Sequence, residues 1–269
     1  MPANTSLDAV VFDLDGTLYC GPAAIRGAVD AVNRLRDDVP CRFLSNNGER
    51  RGRALVQRLR RMGFAVDEGD VISSADLVLG HLAERGRSLR VLALTSNELA
   101  VALQERGHHL VHDGTAEVIV VGVDRALTRK RMIQGLHAAL NGATIIGTNE
   151  DPTYPAADGL HPAAGAYVGF FRGMGFEPAH LCGKPDHWAM TQALSQWKIA
   201  NPGNCVIVGD NLRTDIAGAA NVGARSVLVL TGVSSAEDAE SHPIHPTLIV
   251  ESVESLDRKT LVGLAAATT

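Results

Sequence analysis

Short apolar runs alternate with amphipathic segments along nearly the whole chain, the pattern of strand–helix units that build parallel sheets. Ala9-Val10-Val11-Phe12 reads as a buried strand with no polar face. Residues 24–36 place Ile25, Val29, Val32 and Leu35 on one helical face, and residues 41–44 form the next strand. Residues 49–62 predict a helix with the apolar stripe Leu55, Val56, Leu59 and Met62, closed by Gly63. A short strand at 71–72 and a helix over about 74–85 follow. A second α/β run then begins: strand 89–94, helix 97–105, strand 118–121, helix 129–140, strand 144–146. Residues 147–159, rich in Pro, Asp and Gly, read as a loop long enough to suggest a functional role. Helices over 163–172 and 186–197, strands at 205–208, 226–230 and 248–250, a helix from Val253 and a frayed tail at 265–269 complete the pattern.

The chain of 269 residues can hold one large α/β domain or two smaller ones. Apolar residues make up 45% and charged residues 20%, a balance that buries a core and argues against disorder. A net charge of −5 disfavours a nucleic-acid surface. The arginines of residues 49–62 (Arg50, Arg51, Arg53, Arg58, Arg60 and Arg61) accordingly read as a solvated helix face. No basic-then-apolar leader and no membrane-length apolar run is visible, so a cytoplasmic protein is expected. Cys20, Cys41, Cys182 and Cys205 are dispersed and predict free thiols rather than a zinc site. His108, His109 and His112 lack partners at metal-ligand spacing and read as surface residues.

The candidate chemistry lies where strands end. Asp13 and Asp15 follow the first strand, at the edge where open α/β sheets bind ligands, and Gly16 breaks the strand. Side chains two apart in extended chain point the same way, so both carboxylates can face one site. Like charges so close resist joint ionisation unless a cation or a transferable proton intervenes. Ser45-Asn46-Asn47-Gly48 ends the second strand before a helix, which suits either an anion or an ordinary cap. Gly183-Lys184-Pro185-Asp186 precedes another helix, with Lys184 on a stiffened backbone as a point charge for phosphate. Gly209-Asp210-Asn211 and Thr214-Asp215 form a second acidic cluster at a strand end.

In this order the four signals resemble the haloacid dehalogenase superfamily of phosphohydrolases, closest to its class IIA, NagD-like and p-nitrophenylphosphatase branch. The stretches that carry the likeness are DLDGTLYCG, FLSNNGERR, GTNEDPTYP, GLHPAAGA, GKPDHWAM and VGDNLRTDIAGA, spanning residues 9–232. The resemblance implies an α/β fold: a three-layer Rossmann-like core from 1–78 and 182–269, with an inserted α/β cap over 79–181 that closes over the phosphate. It implies Asp13 as nucleophile and Asp15 as acid and base. It implies magnesium held by Asp13, the Asp15 carbonyl and Asp210. Ser45, Asn46, Asn47 and Lys184 would bind phosphate, and Asn211 and Asp215 would orient metal waters or Lys184. Asn149, Asp151, Thr153 and Tyr154 would select the leaving group. The expected substrate is a small phosphorylated metabolite, with no nucleic acid or membrane partner. A homodimer through the cap stays open, as do a phosphotransferase or a silent binding protein of the same fold. Glu49-Arg50 departs from the Ser-Ser or Ser-Arg of relatives, and Thr153-Tyr154 stands where the pyridoxal phosphatase branch has a histidine.

Overall fold

The computed structural model describes residues 7–156 and 158–266. It divides into two compact units, one of Met1–Ser45, Arg53–Ile72 and Lys184–Thr269, the other of Asn46–Gly52 and Ser73–Gly183. Both are α/β.

The first unit is built on a six-stranded sheet in the order Leu248–Val250, Arg225–Val229, Cys205–Gly209, Ala9–Phe12, Cys41–Ser45, Val71–Ser73. The pairings from Leu248–Val250 across to Cys41–Ser45 run parallel. Such strands are covered on both faces, and this accounts for the unbroken apolar text of Ala9–Phe12 and Cys205–Gly209, every residue of which is buried. Helices Ala28–Arg36 and Gly52–Arg61 follow strands of this sheet, and His187–Gln196 precedes Cys205–Gly209. Val10, Phe12, Phe43, Leu35, Leu55, Leu59 and Val208 meet in one core.

The second unit has a five-stranded parallel sheet in the order His180–Leu181, Thr144–Gly147, Val118–Val121, Arg90–Leu94, His109–Leu110. Its own core joins Leu92, Leu94, Ile119, Val121, Val168 and Phe171. Among the described residues no helix is long and apolar enough to cross a membrane, and all four cysteines are free.

Helices Asn97–Glu105 and Arg129–Leu140 and strands Val118–Val121 and Leu248–Val250 match the periodicity. Elsewhere the sequence pattern overreached. The first helix begins at Ala28 because Ala23–Ala24 pairs with Tyr19–Cys20 in a small hairpin. The helix expected from residue 49 begins at Gly52, since Asn47 Oδ1 accepts the amides of Glu49 and Arg50 and holds a turn there. The expected long loop contains an antiparallel hairpin, Thr153–Ala156 with Gly159–Pro162. The prolines that suggested a loop are tolerated because a two-stranded ribbon is all edge. His108 is buried, its Nδ1 accepting the Leu89 amide. Of the expected tail, Ala266 ends the helix Arg258–Ala266, and 267–269 lie outside the described residues.

Phe43 is fully buried and stacks on Phe12 with ring centroids 6.0 Å apart. Phe43→Ala should lower unfolding free energy by about 3–5 kcal/mol. A urea midpoint that does not move would refute the packing.

Candidate active site

Three neighbouring strands of the first unit end side by side. Asp13 follows Ala9–Phe12, Asp210 follows Cys205–Gly209, and Ser45 closes Cys41–Ser45. Parallel pairing in register therefore carries these side chains to one edge of the sheet, where α/β folds bind ligands. The Asp13 amide continues the ladder by donating to the Val208 carbonyl at 2.8 Å.

Lys184 reaches into this edge just ahead of helix His187–Gln196, whose amide at Ala189 is capped by Asp186. Lys184 is 3% exposed, and its ammonium donates to Asp13 Oδ1 at 2.5 Å, Asp215 Oδ1 at 2.7 Å and the Leu44 carbonyl at 2.9 Å. Three donors meet three acceptors, the condition for burying an ammonium. Burial alone would lower the Lys184 pKa, but the charges of Asp13 and Asp215 outweigh it and the net shift is upward.

A wide π-helical turn, Leu212–Ile216, carries Asp215. Its Oδ2 accepts the Asn211 amide at 3.2 Å, while Asn211 Oδ1 caps Arg213 at 2.9 Å. Asp210 takes Thr17 Oγ1 on Oδ1 at 3.3 Å and the Val233 amide on Oδ2 at 2.7 Å. Gly232 lies so close to this carboxylate that a Cβ there would fall inside van der Waals contact. Gly16, at φ 87°, turns the chain in a conformation side chains rarely adopt and packs against the same carboxylate.

Carboxylate oxygens of Asp13, Asp210 and Asp215 all lie within 4.8 Å of one another. One ammonium cannot neutralise three such charges. Burial, then the charge of Asp13, pushes the Asp210 carboxyl upward. Burial likewise raises Asp215 against the opposing pull of Lys184. Hard oxygen donors with excess negative charge suit a small divalent cation.

Asp15 stands two residues from Asp13 and is exposed on one side. The protein crowded around the rest of it, then the Asp13 charge, raise its pKa to about 6. Its Oδ2 accepts the Tyr19 hydroxyl at 3.0 Å, and Arg58 lies over the Tyr19 ring at 4.0 Å. Burial and the neighbouring Asp15 hold the Tyr19 phenol in its protonated form.

The remaining residues singled out from the sequence belong to the second unit. Asn46 Nδ2 donates to Asp151 Oδ2 at 3.0 Å, and Asn149 Nδ2 donates to the Asn46 carbonyl at 2.6 Å. The segment following Ser45 is thus tied to the Asn149–Asp151 loop. Asn47 uses its side-chain oxygen on the local turn. Thr153 is exposed on the hairpin, and Tyr154 meets Arg125 Nη2 at 2.9 Å.

Sequence reasoning passed over Tyr19, Arg58 and Arg125. Helical spacing assigns Arg58 to a solvated face, but its Nη2 reaches the Gly21 carbonyl at 2.5 Å. Arg51 pairs with Asp76. Arg125 forks onto both oxygens of Glu49 at 2.9 and 3.1 Å. The departure at Glu49 was the available signal for that pair, whereas nothing local marked Arg125.

A model described as haloacid dehalogenase-like hydrolase matches residues 10–109, and a HAD-hydrolase-like model matches 181–256. The first span holds Asp13, Asp15 and Ser45, and the second holds Lys184, Asp210 and Asp215. An acid sugar phosphatase of Staphylococcus aureus is 31% identical over 241 residues, 89% of this chain and 92% of that protein. The chain belongs to the haloacid dehalogenase-like hydrolases. Among solved structures, a p-nitrophenyl phosphatase from Archaeoglobus fulgidus superposes with a TM-score of 0.86 at 30% identity, covering 93% of this chain and 97% of the other. The glycerol phosphate phosphatase Rv1692 of Mycobacterium tuberculosis, solved with magnesium, gives 0.84 at 32% identity, covering 93% of this chain and 77% of the other. These neighbours put this hydrolase in the NagD-like and nitrophenylphosphatase branch and make it a phosphatase acting on phosphate monoesters.

The raised carboxyls give the hydrolase a distinctive pH response. Asp210 keeps its proton in the native state to a higher pH than in the unfolded chain, so unfolding free energy falls as pH rises. His81, lowered to about 4 by burial and then His180, acts in the opposite sense only below its ordinary value of 6.5. With a chelator present, Tm should therefore drop between about pH 6.5 and pH 8, and Asp210→Asn should shrink the drop. A flat or rising Tm over that interval would contradict the charge excess.

Proposed function

We propose that the protein hydrolyses a small phosphate monoester through a phosphoaspartyl intermediate on Asp13, with magnesium as its cofactor. The observation that carries this reading is the buried Lys184 shared by Asp13 and Asp215, with Asp210 alongside. Asp13 attacks phosphorus, and the leaving oxygen departs opposite to it. Lys184 holds the Asp13 carboxyl in place, and together with Ser45, Asn46 and Asn47 it binds the phosphoryl oxygens. Asp15, with a pKa near 6, is suited to give a proton to the leaving alcohol and then take one from the attacking water. The Asp13 and Asp210 carboxylates and the Asp15 carbonyl would hold the magnesium, which supplies positive charge against the phosphoryl oxygens. Asp215 and Asn211 act from behind: Asp215 anchors Lys184, and the Asn211 amide anchors Asp215.

Leaving-group selection is assigned to Asn149, Asp151, Thr153 and Tyr154. The bonds from Asn46 to Asp151 and from Asn149 to Asn46 support it, because Asn46 adjoins Ser45 in the chain. The relatives named above act on sugar phosphate, glycerol phosphate and nitrophenyl phosphate by their descriptions. The substrate class is accordingly a small phosphorylated metabolite: a sugar phosphate, glycerol phosphate, nucleotide or phosphoglycolate.

Phosphate release from a panel of such monoesters tests the reading. Wild type with magnesium should turn over at least one member. Chelation should abolish release, and Asp13→Asn should lower it by about 10³-fold or more, since the amide offers no carboxylate oxygen to form the acyl phosphate. Full activity in Asp13→Asn would rule out the covalent route.

A further inference from the structure

Tyr19 is held in place by more than its own packing. The Gly16 amide donates to the Tyr19 carbonyl at 2.8 Å, and the amides of Leu18 and Tyr19 donate back to the Leu14 carbonyl at 2.8 and 3.2 Å. This tight turn fixes the Tyr19 backbone against that of Asp15, and the two residues form an isolated bridge. Tyr19–Cys20 is pinned a second time by its pairing with Ala23–Ala24. The ring is fully buried in the core that includes Leu14 and Leu18. Arg58 covers the ring at 4.0 Å, and its other contact, the Gly21 carbonyl, belongs to the same hairpin. The hydroxyl emerging from this clamp donates to Asp15 Oδ2 at 3.0 Å.

A carboxyl group offers two oxygens, and a general acid needs its proton on the one that faces the leaving group. An O–H donated to Oδ2 occupies that oxygen and stops the carboxyl from rotating. We infer that Tyr19, clamped by Arg58, is a positioning residue for Asp15, leaving Oδ1 as the oxygen that delivers the proton. The inference depends on the assignment of Asp15 as acid and base under the proposed function. In the first step the bond from phosphorus to the leaving oxygen breaks while one forms to Asp13. The electron pair goes to the leaving oxygen, which takes the Oδ1 proton, and Asp15 is left as a carboxylate still accepting from Tyr19. In the second step water attacks phosphorus while its bond to Asp13 breaks, the electron pair returns to the Asp13 carboxylate, and the same Oδ1 recovers the water's proton.

The leaving group provides the test. Nitrophenolate departs without protonation, whereas an alkoxide does not, so loss of a positioned acid harms alkyl esters selectively. kcat/KM reports the steps up to leaving-group departure and is free of the later hydrolysis. It is measured for p-nitrophenyl phosphate and for glycerol phosphate in wild type, Tyr19→Phe, Arg58→Met and Asp15→Asn. Tyr19→Phe keeps the ring, the stacking and the core, and removes only the hydroxyl. The ratio of the aryl to the alkyl value should rise about tenfold in Tyr19→Phe, less in Arg58→Met, and by about 10² or more in Asp15→Asn. A ratio unchanged in Tyr19→Phe while Asp15→Asn raises it would overturn the role of Tyr19 alone. A ratio unchanged in Asp15→Asn would remove the acid role of Asp15, and the inference with it.

Discussion

A buried ammonium among carboxylates governs this molecule. Lys184 is almost wholly withdrawn from water, so it depends on contacts from Asp13, Asp215 and the Leu44 carbonyl. Removing one partner of such a pair costs ~3–5 kcal/mol, because the survivor stays buried and unpaired. The arrangement also leaves a surplus of negative charge, since Asp210 shares the space and its carboxyl is pushed upward. An assembly with one ammonium among three carboxylates is poorly suited to being a stabilising core. It is well suited to receiving a cation and a phosphoryl group, in line with the phosphatase family to which the chain belongs.

The sheet explains how distant residues reach that point. Asp13, Ser45 and Asp210 are far apart in sequence, yet their strands are neighbours, so parallel register does the assembling. The same logic made the strands legible. A strand buried on both faces writes itself as an apolar run, and the residue after it announces the sheet edge. The acidic and Lys-Pro motifs were legible for that reason, singly weak and jointly specific. Asp215 was legible too, but not the wide turn Leu212–Ile216 that carries it, because one extra residue in a helical turn leaves no compositional mark.

What the sequence concealed depended on long-range partners. The hairpin Thr153–Ala156 with Gly159–Pro162 hid behind its prolines. His108 looked like a surface residue until the Leu89 amide claimed its Nδ1. Arg58 sat in a row of arginines that helical periodicity assigned to solvent. Its place over Tyr19 follows from a turn many residues upstream, which no local pattern encodes. Glu49 differed from the family text, and its partner Arg125 becomes identifiable only once the strands of the second unit are folded. Local propensity thus specified the elements, and tertiary contacts decided which exposed-looking side chains were committed.

The discontinuity of the first unit also bears on synthesis. Its central strand, Ala9–Phe12, pairs on one side with Cys205–Gly209, a partner translated nearly two hundred residues later. The second unit's sheet, by contrast, is contained within residues 90–181. A ribosome therefore releases the material for the inserted sheet while the first strand still lacks one neighbour. Non-local pairings of this kind are the slow ones to form, and unpaired strand edges are prone to association. The nascent chain carries an apolar strand with an open edge until Cys205–Gly209, about three quarters of the way along, has emerged, so that edge stays open to association through most of synthesis.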